Sequence, residues 1–116
     1  MKEQLRAEDY YQQVIDLKET LNKSAPEYLK AYGEFAGQAL KEGALSAKTK
    51  ELIFMALGIT AHCPHCIVAH VKGAIEAGAT RQEILEAGMV AGPMGGGPAL
   101  VHLRYVLEAC DQFGAD

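Results

Sequence analysis

The residues able to do chemistry are concentrated in one stretch, Ala61-His62-Cys63-Pro64-His65-Cys66-Ile67-Val68-Ala69-His70. Two cysteines stand three apart, and a histidine follows the second by four. Pro64 falls where the first turn of a helix would begin, a position at which its missing N–H costs nothing. Cys63 is then expected at the mouth of a helix and Cys66 in its first turn. His70 follows one turn on, on the same face as Cys66. The positive end of a helix stabilises a thiolate, and the thiolate is the nucleophilic form of cysteine. The stretch reads as a redox dithiol with its own base.

A third kind of group lies twelve residues upstream of Cys63. If the helix ending near Thr60 and the helix starting near Cys63 form an antiparallel hairpin, Glu51 sits ~12 Å before the bend and His70 ~10 Å after it. The two then lie at one height and can face each other, with Cys66 a turn above. Carboxylate, imidazole and thiol in that line are the orienter, base and nucleophile of covalent catalysis. On residue type alone, Glu51 is equally a surface carboxylate beside Lys48 and Lys50.

The elements that must position these groups are helical. Apolar residues recur at three and four, and the alternation of a half-buried strand is absent. The first helix is expected over Ala7 to Asn22, with Tyr10, Val14, Leu17 and Leu21 on one stripe. Ser24-Ala25-Pro26-Glu27 reads as a capping box opening a second helix, which carries Tyr28, Leu29, Tyr32, Phe35, Ala36 and Leu40 and ends at Gly43. Ser46 caps a third helix, running to Thr60 and apolar on every side from Leu52 to Leu57. Such a helix is buried in a core or in an oligomer interface.

The fourth helix runs from Cys63 to Gly78. Thr80-Arg81-Gln82-Glu83 is a second capping box and opens a fifth helix, with Ile84, Leu85 and Val90 facing inward. Gly88 and Pro93 predict a kink or early stop there. Gly95-Gly96-Gly97-Pro98 reads as a tight turn before a proline-initiated last helix, closed by Gly114. That helix carries Leu100, Val101, Leu103, Val106 and Leu107. The turn lacks the lysine and spacing of a phosphate loop. Residues 1–116 therefore form a single all-α domain with short connections.

Composition excludes several classes. The 49% hydrophobic content supports a core and argues against disorder. Net charge is -4, and the 11 basic residues are scattered, without the stripe that nucleic acid requires. No long apolar span points to a membrane. The polar start Met1-Lys2-Glu3 carries no leader pattern, so the cytoplasm is the expected location. Three cysteines are too few for a secreted disulfide framework, and Cys110 reads as a small buried apolar residue.

Glu51, Cys63, His65, Cys66 and His70, spaced E-x11-C-x-H-C-x3-H, resemble the AhpD alkylhydroperoxidase branch of the carboxymuconolactone decarboxylase superfamily. The segment Gly95 to Leu100 is also similar to small members of that family, and the resemblance spans Leu45 to Phe113. It implies an all-α, AhpD-like bundle with a helical hairpin carrying the C-x-x-C pair. It further implies assembly into homotrimers or homohexamers and thiol-dependent reduction of hydroperoxides, with no cofactor.

By the same resemblance Cys66 attacks the peroxide and Cys63 resolves the sulfenic acid to a Cys63–Cys66 disulfide. Glu51 and His70 relay the proton, and His65 is the intervening histidine. An external dithiol, lipoyl-bearing or thioredoxin-like, would then reduce the disulfide. The chain is shorter than AhpD. Lactone decarboxylases of the superfamily do not depend on such a dithiol.

Two other classes use the same residues. His62, Cys63, His65, Cys66 and His70 offer five donors to a metal, but one helix cannot turn all five to a point. C-x-x-C-H haem attachment fails at Ile67. A helical oligomer whose dithiol senses peroxide without turnover is the other alternative. His62 and His102 have no partner visible in the sequence and read as structural or surface residues.

Overall fold

The computed structural model describes residues 5–116, and the polar start Met1-Lys2-Glu3 lies outside the described residues. Six helices follow one another: α1 (Ala7–Ser24), α2 (Pro26–Leu40), α3 (Ala47–Thr60), α4 (Pro64–Glu76), α5 (Arg81–Gly95) and α6 (Gly97–Phe113). Among the described residues there is no strand, and no helix is long and apolar enough to cross a membrane.

Local chemistry sets most of the boundaries. The Ser46 hydroxyl accepts the Thr49 N–H at 3.1 Å and starts α3. The reciprocal Thr80–Glu83 box starts α5. Gly114, in the left-handed region at φ 76°, ends α6. The triple glycine makes the tight turn expected of it. Gly96 has φ 70°, and a Cβ on Gly95 would come within 2.7 Å of the Ala99 Cβ.

Three boundaries differ from expectation. The Ser24 capping box does not form, because α1 runs on through Ser24 and leaves Ala25 as the single joint to α2. Pro26 at the first position, with φ preset, starts α2 without a side-chain cap. That helix stops at Leu40, before Gly43. Pro93 neither stops nor shortens α5, which continues to Gly95 with the Gly96 N–H bonded to the Gly92 carbonyl at 2.8 Å. Proline there removes the bond to Met89, and Met89 lies on an exposed flank where water can serve its carbonyl.

The core lies between α3, α4, α5 and α6, around Met55, Ile59, Ile67, Val71, Ile84 and Val106. Helix α1 crosses α4 and α6, burying Ala7 and resting Tyr10 and Tyr11 on the core. Helix α2 buries no residue fully and leaves Tyr28, Tyr32 and Phe35 exposed. Helix α3, apolar on every side and expected in a core or an oligomer interface, presents two different sides. Met55 and Ile59 enter the core, whereas Ile53 and Leu57 are exposed. Val90, expected inward, is also exposed, as are Leu100 and Val101 at the start of α6. An apolar stripe wider than one core can cover leaves its outer edge on the surface.

Because Pro93 sits on an exposed part of α5 and leaves a helical bond unmade, Pro93→Ala is expected to stabilise the fold by about 2 kcal/mol. A rise in the denaturant midpoint at constant slope checks this, and an unchanged or lower midpoint contradicts it.

Candidate active site

The site is built on the α3–α4 hairpin. Gly58 of α3 lies against Cys66 and Ile67 of α4, where an added Cβ would stand 3.2 Å from the Cys66 Cβ. Glu51, two turns earlier on α3, reaches His70 and Gly73, correspondingly later on α4. Residues climbing α3 therefore meet residues descending α4, which makes the pair antiparallel and puts Glu51 and His70 at one height.

Glu51 is buried, with 8% of its surface exposed. Its carboxylate accepts the Nδ1–H of His70 at 3.1 Å. A Cβ on Gly73 would overlap that carboxylate, so only glycine leaves the space it occupies. Phe54, one turn beyond Glu51, stacks flat on the His70 ring at 4.6 Å between centroids and 10° between planes. Acceptor and stacked ring fix the imidazole in position and in tautomer. With Nδ1 committed to Glu51, Nε2 carries the lone pair.

The cysteines occupy the helix start foreseen for them. Cys63 is the N-cap of α4 and Pro64 its first residue. Cys63 and Cys66 are joined as a disulfide, their Cα atoms 5.3 Å apart. The Cys63 sulfur accepts the Cys66 N–H at 3.2 Å, so it sits where the helix concentrates its unpaired donors. Cys63 is half-buried and Cys66 exposed. Cys66 and His70 line one groove of about 340 Å³, which Tyr32 of α2 and Val14 of α1 also wall.

The carboxymuconolactone decarboxylase family profile matches residues 26–109, well over half of the chain. The chain belongs to the carboxymuconolactone decarboxylase family. A family structure from Legionella pneumophila superposes with a TM-score of 0.88 and 37% identity, over 92% of this chain and 96% of that one. A Thermotoga maritima member, for which a part in an antioxidative response has been suggested, superposes with a TM-score of 0.78 at 25% identity. That match covers 90% of this chain and 89% of the other. An uncharacterised cox-locus protein of Paracoccus denitrificans is 44% identical over 71 residues, 61% of this chain and 64% of that protein's length.

In this family member the remaining histidines turn elsewhere. His65 donates to the Gln13 side-chain oxygen of α1 at 2.7 Å and meets the Tyr10 ring edge-on at 4.9 Å. It borders the groove but is not joined to Glu51 and His70. His62, in the left-handed turn before Cys63 at φ 55°, stacks on His102 at 5.1 Å. His102 in turn donates Nδ1–H to the Pro98 carbonyl at 2.7 Å. Both had read as partnerless. The five donors of the metal reading thus diverge, and among the described residues no three His, Cys, Asp or Glu side chains converge on a metal position. Cys110 is buried in α6, and burial pushes its thiol pKa up.

Phe54 and Gly73 were not singled out from the sequence, although a signal existed. Phe54 stands three after Glu51 and Gly73 three after His70, the spacing that shares a helix face. Gln13, Tyr10 and His102 come from α1 and α6, and nothing in their local sequence points to the hairpin.

Two outcomes follow from this geometry. Gly73→Ala is expected to lower stability by about 1–3 kcal/mol, because the Glu51 carboxylate must leave a buried position. Equilibrium denaturation checks it, and a neutral result would show that the carboxylate has another place to go. After mild reduction, Cys66 is expected to alkylate first and Cys110 only on unfolding. Mass-resolved labelling reads the order.

Proposed function

We propose that the protein is a thiol-dependent peroxidase that reduces hydroperoxides to alcohols. The observation that carries this reading is the joining of two devices in one groove. A bonded cysteine pair has its exposed member, Cys66, on the same groove as an imidazole held by a buried carboxylate. A structural disulfide needs no imidazole beside it, and the Glu51–His70 pair, besides joining α3 to α4, leaves a ring nitrogen free on the groove that Cys66 shares.

The cycle begins with the dithiol reduced. His70 Nε2 takes the Cys66 proton, and Glu51 holds the imidazolium that results. The Cys66 thiolate attacks the distal peroxide oxygen and the O–O bond breaks. The departing alkoxide takes the proton back from His70. Cys66–SH and ROOH have become Cys66–SOH and ROH. The Cys63 sulfur, favoured as thiolate by the Cys66 N–H, attacks the sulfenic sulfur and expels water as the disulfide closes. In this cycle the Cys63–Cys66 disulfide is the oxidised end point. An external dithiol, lipoyl-bearing or thioredoxin-like, restores both thiols by exchange and is itself oxidised. Such a donor is found in a reducing compartment such as the cytoplasm.

Two further observations favour the reading. The Thermotoga relative has been linked by suggestion to an antioxidative response. Ile53, Leu57 and Val90 are exposed and line one apolar hollow on α3 and α5, a patch that assembly into a trimer or hexamer of this domain would cover.

The test is peroxide consumption with dithiothreitol as donor. Wild type is expected to consume many equivalents and Cys66→Ser none above background. Cys63→Ser should accumulate a sulfenic acid that dimedone traps. Glu51→Gln should lose about 100-fold in kcat with its fold intact. Undiminished turnover in Cys66→Ser refutes the assignment. Oxidation that stops after one equivalent in wild type, with reductant present, shows a sensor instead.

A further inference from the structure

Cys66 borders more than the groove it shares with His70. A second cavity, of about 370 Å³, is lined by Cys66 together with residues of α1 and α2. Its walls are Val14, Leu17 and Leu21 on one helix and Tyr28, Leu29 and Tyr32 on the other. The core does not account for these residues, since Leu17, Tyr28 and Tyr32 are exposed and α2 buries nothing fully. The size is that of a small-molecule site, and the lining is carbon almost throughout. Of the described residues lining it, Lys18 alone is charged.

Lys18 also borders the first groove, so it lines both cavities, as Cys66 does. Among the described residues it has no ion-pair partner. An apolar slot lined by a lysine that has no ion-pair partner among the described residues is complementary to an amphipathic anion. Hydrogen peroxide would use neither feature.

We infer that the α1–α2 slot binds the acyl chain of a long-chain carboxylate, with Lys18 taking the carboxylate. The hydroperoxide reduced at Cys66 is accordingly that of a fatty acid. This rests on the peroxidase reading, and it adds the substrate class. The apolar chain accounts for the open wall of α2, and the anion for Lys18. A neutral alkyl hydroperoxide would fill the slot and leave Lys18 unused.

Binding can be measured without turnover, by calorimetry on the oxidised protein with dodecanoate and dodecanol below their micellar concentrations. Dodecanoate is expected to bind about fivefold more tightly than dodecanol. In Lys18→Met the two affinities should converge, and Lys18→Arg should restore the difference. Leu21→Glu, which places a like charge in the slot, should weaken dodecanoate more than dodecanol. Failure of both ligands to bind, or equal affinity for them in wild type, overturns the inference. It does so even where peroxides are consumed, in which case the peroxidase reading stands. Preferential dodecanoate binding by a protein that consumes no peroxide overturns the peroxidase reading, and the substrate assignment with it.

Discussion

A carboxylate inside a small protein must be given a partner or it will not stay there. Burying it unpaired costs several kcal/mol, and a hydrogen bond from a group that can share its charge offsets much of that. Glu51 meets this condition through His70, and the requirement reaches far into the fold. It fixes the register of α3 against α4. It demands glycine at position 73, because any side chain there would occupy the carboxylate's place. It leaves the imidazole one free nitrogen, pointed away from the acid. Phe54 completes the restraint by denying the ring a second orientation.

The same hairpin gives different surroundings to two sulfurs that stand only three residues apart. Cys63 belongs to the helix: it is the N-cap, half-buried, and accepts a backbone N–H. Cys66 belongs to the groove: it is exposed and shares a wall with His70. A leaving or resolving sulfur gains from a fixed donor that stabilises its anion. An attacking sulfur gains from access and a nearby base. The asymmetry follows from where the helix begins, and Pro64 settles that point by presetting the first turn. Gly58 then lets α3 approach closely enough for both sulfurs to sit at the hairpin's mouth.

How much of this could be read beforehand depends on the range of the interaction. The dithiol, its histidine and the helix start are coded within eight residues, and all stand where the spacing placed them. Glu51 was reachable by counting rise along two helices, because a hairpin converts sequence distance into height. The early stop at Pro93 does not occur, because an end-of-helix proline on an exposed flank costs less than one in the core. Val90 was misplaced for a related reason: a stripe at helical spacing shows that a face is apolar but not that something covers it. His65 and His62 turned to Gln13 and His102, on α1 and α6, and no local pattern announces a contact across more than thirty residues.

The boundary of the family match separates two layers of this molecule. Residues 26–109 take in α2 through most of α6, and so include the whole Glu51–His70–dithiol constellation. Helix α1 lies outside that span, yet it supplies Gln13 to His65 and Val14 and Lys18 to the cavity walls. Chemistry set by the hairpin needs only that the hairpin pack on its core, which α5 and α6 complete. The shape and charge of the space in front of Cys66 are set by α1 and by the loosely seated α2. Those two helices can change their facing residues without disturbing a buried acid, a stacked ring or a helix cap. On the proposed function, reactivity and selectivity therefore rest on different elements, and substitutions in α1 would alter what reaches the sulfur while leaving the hairpin around it as it is.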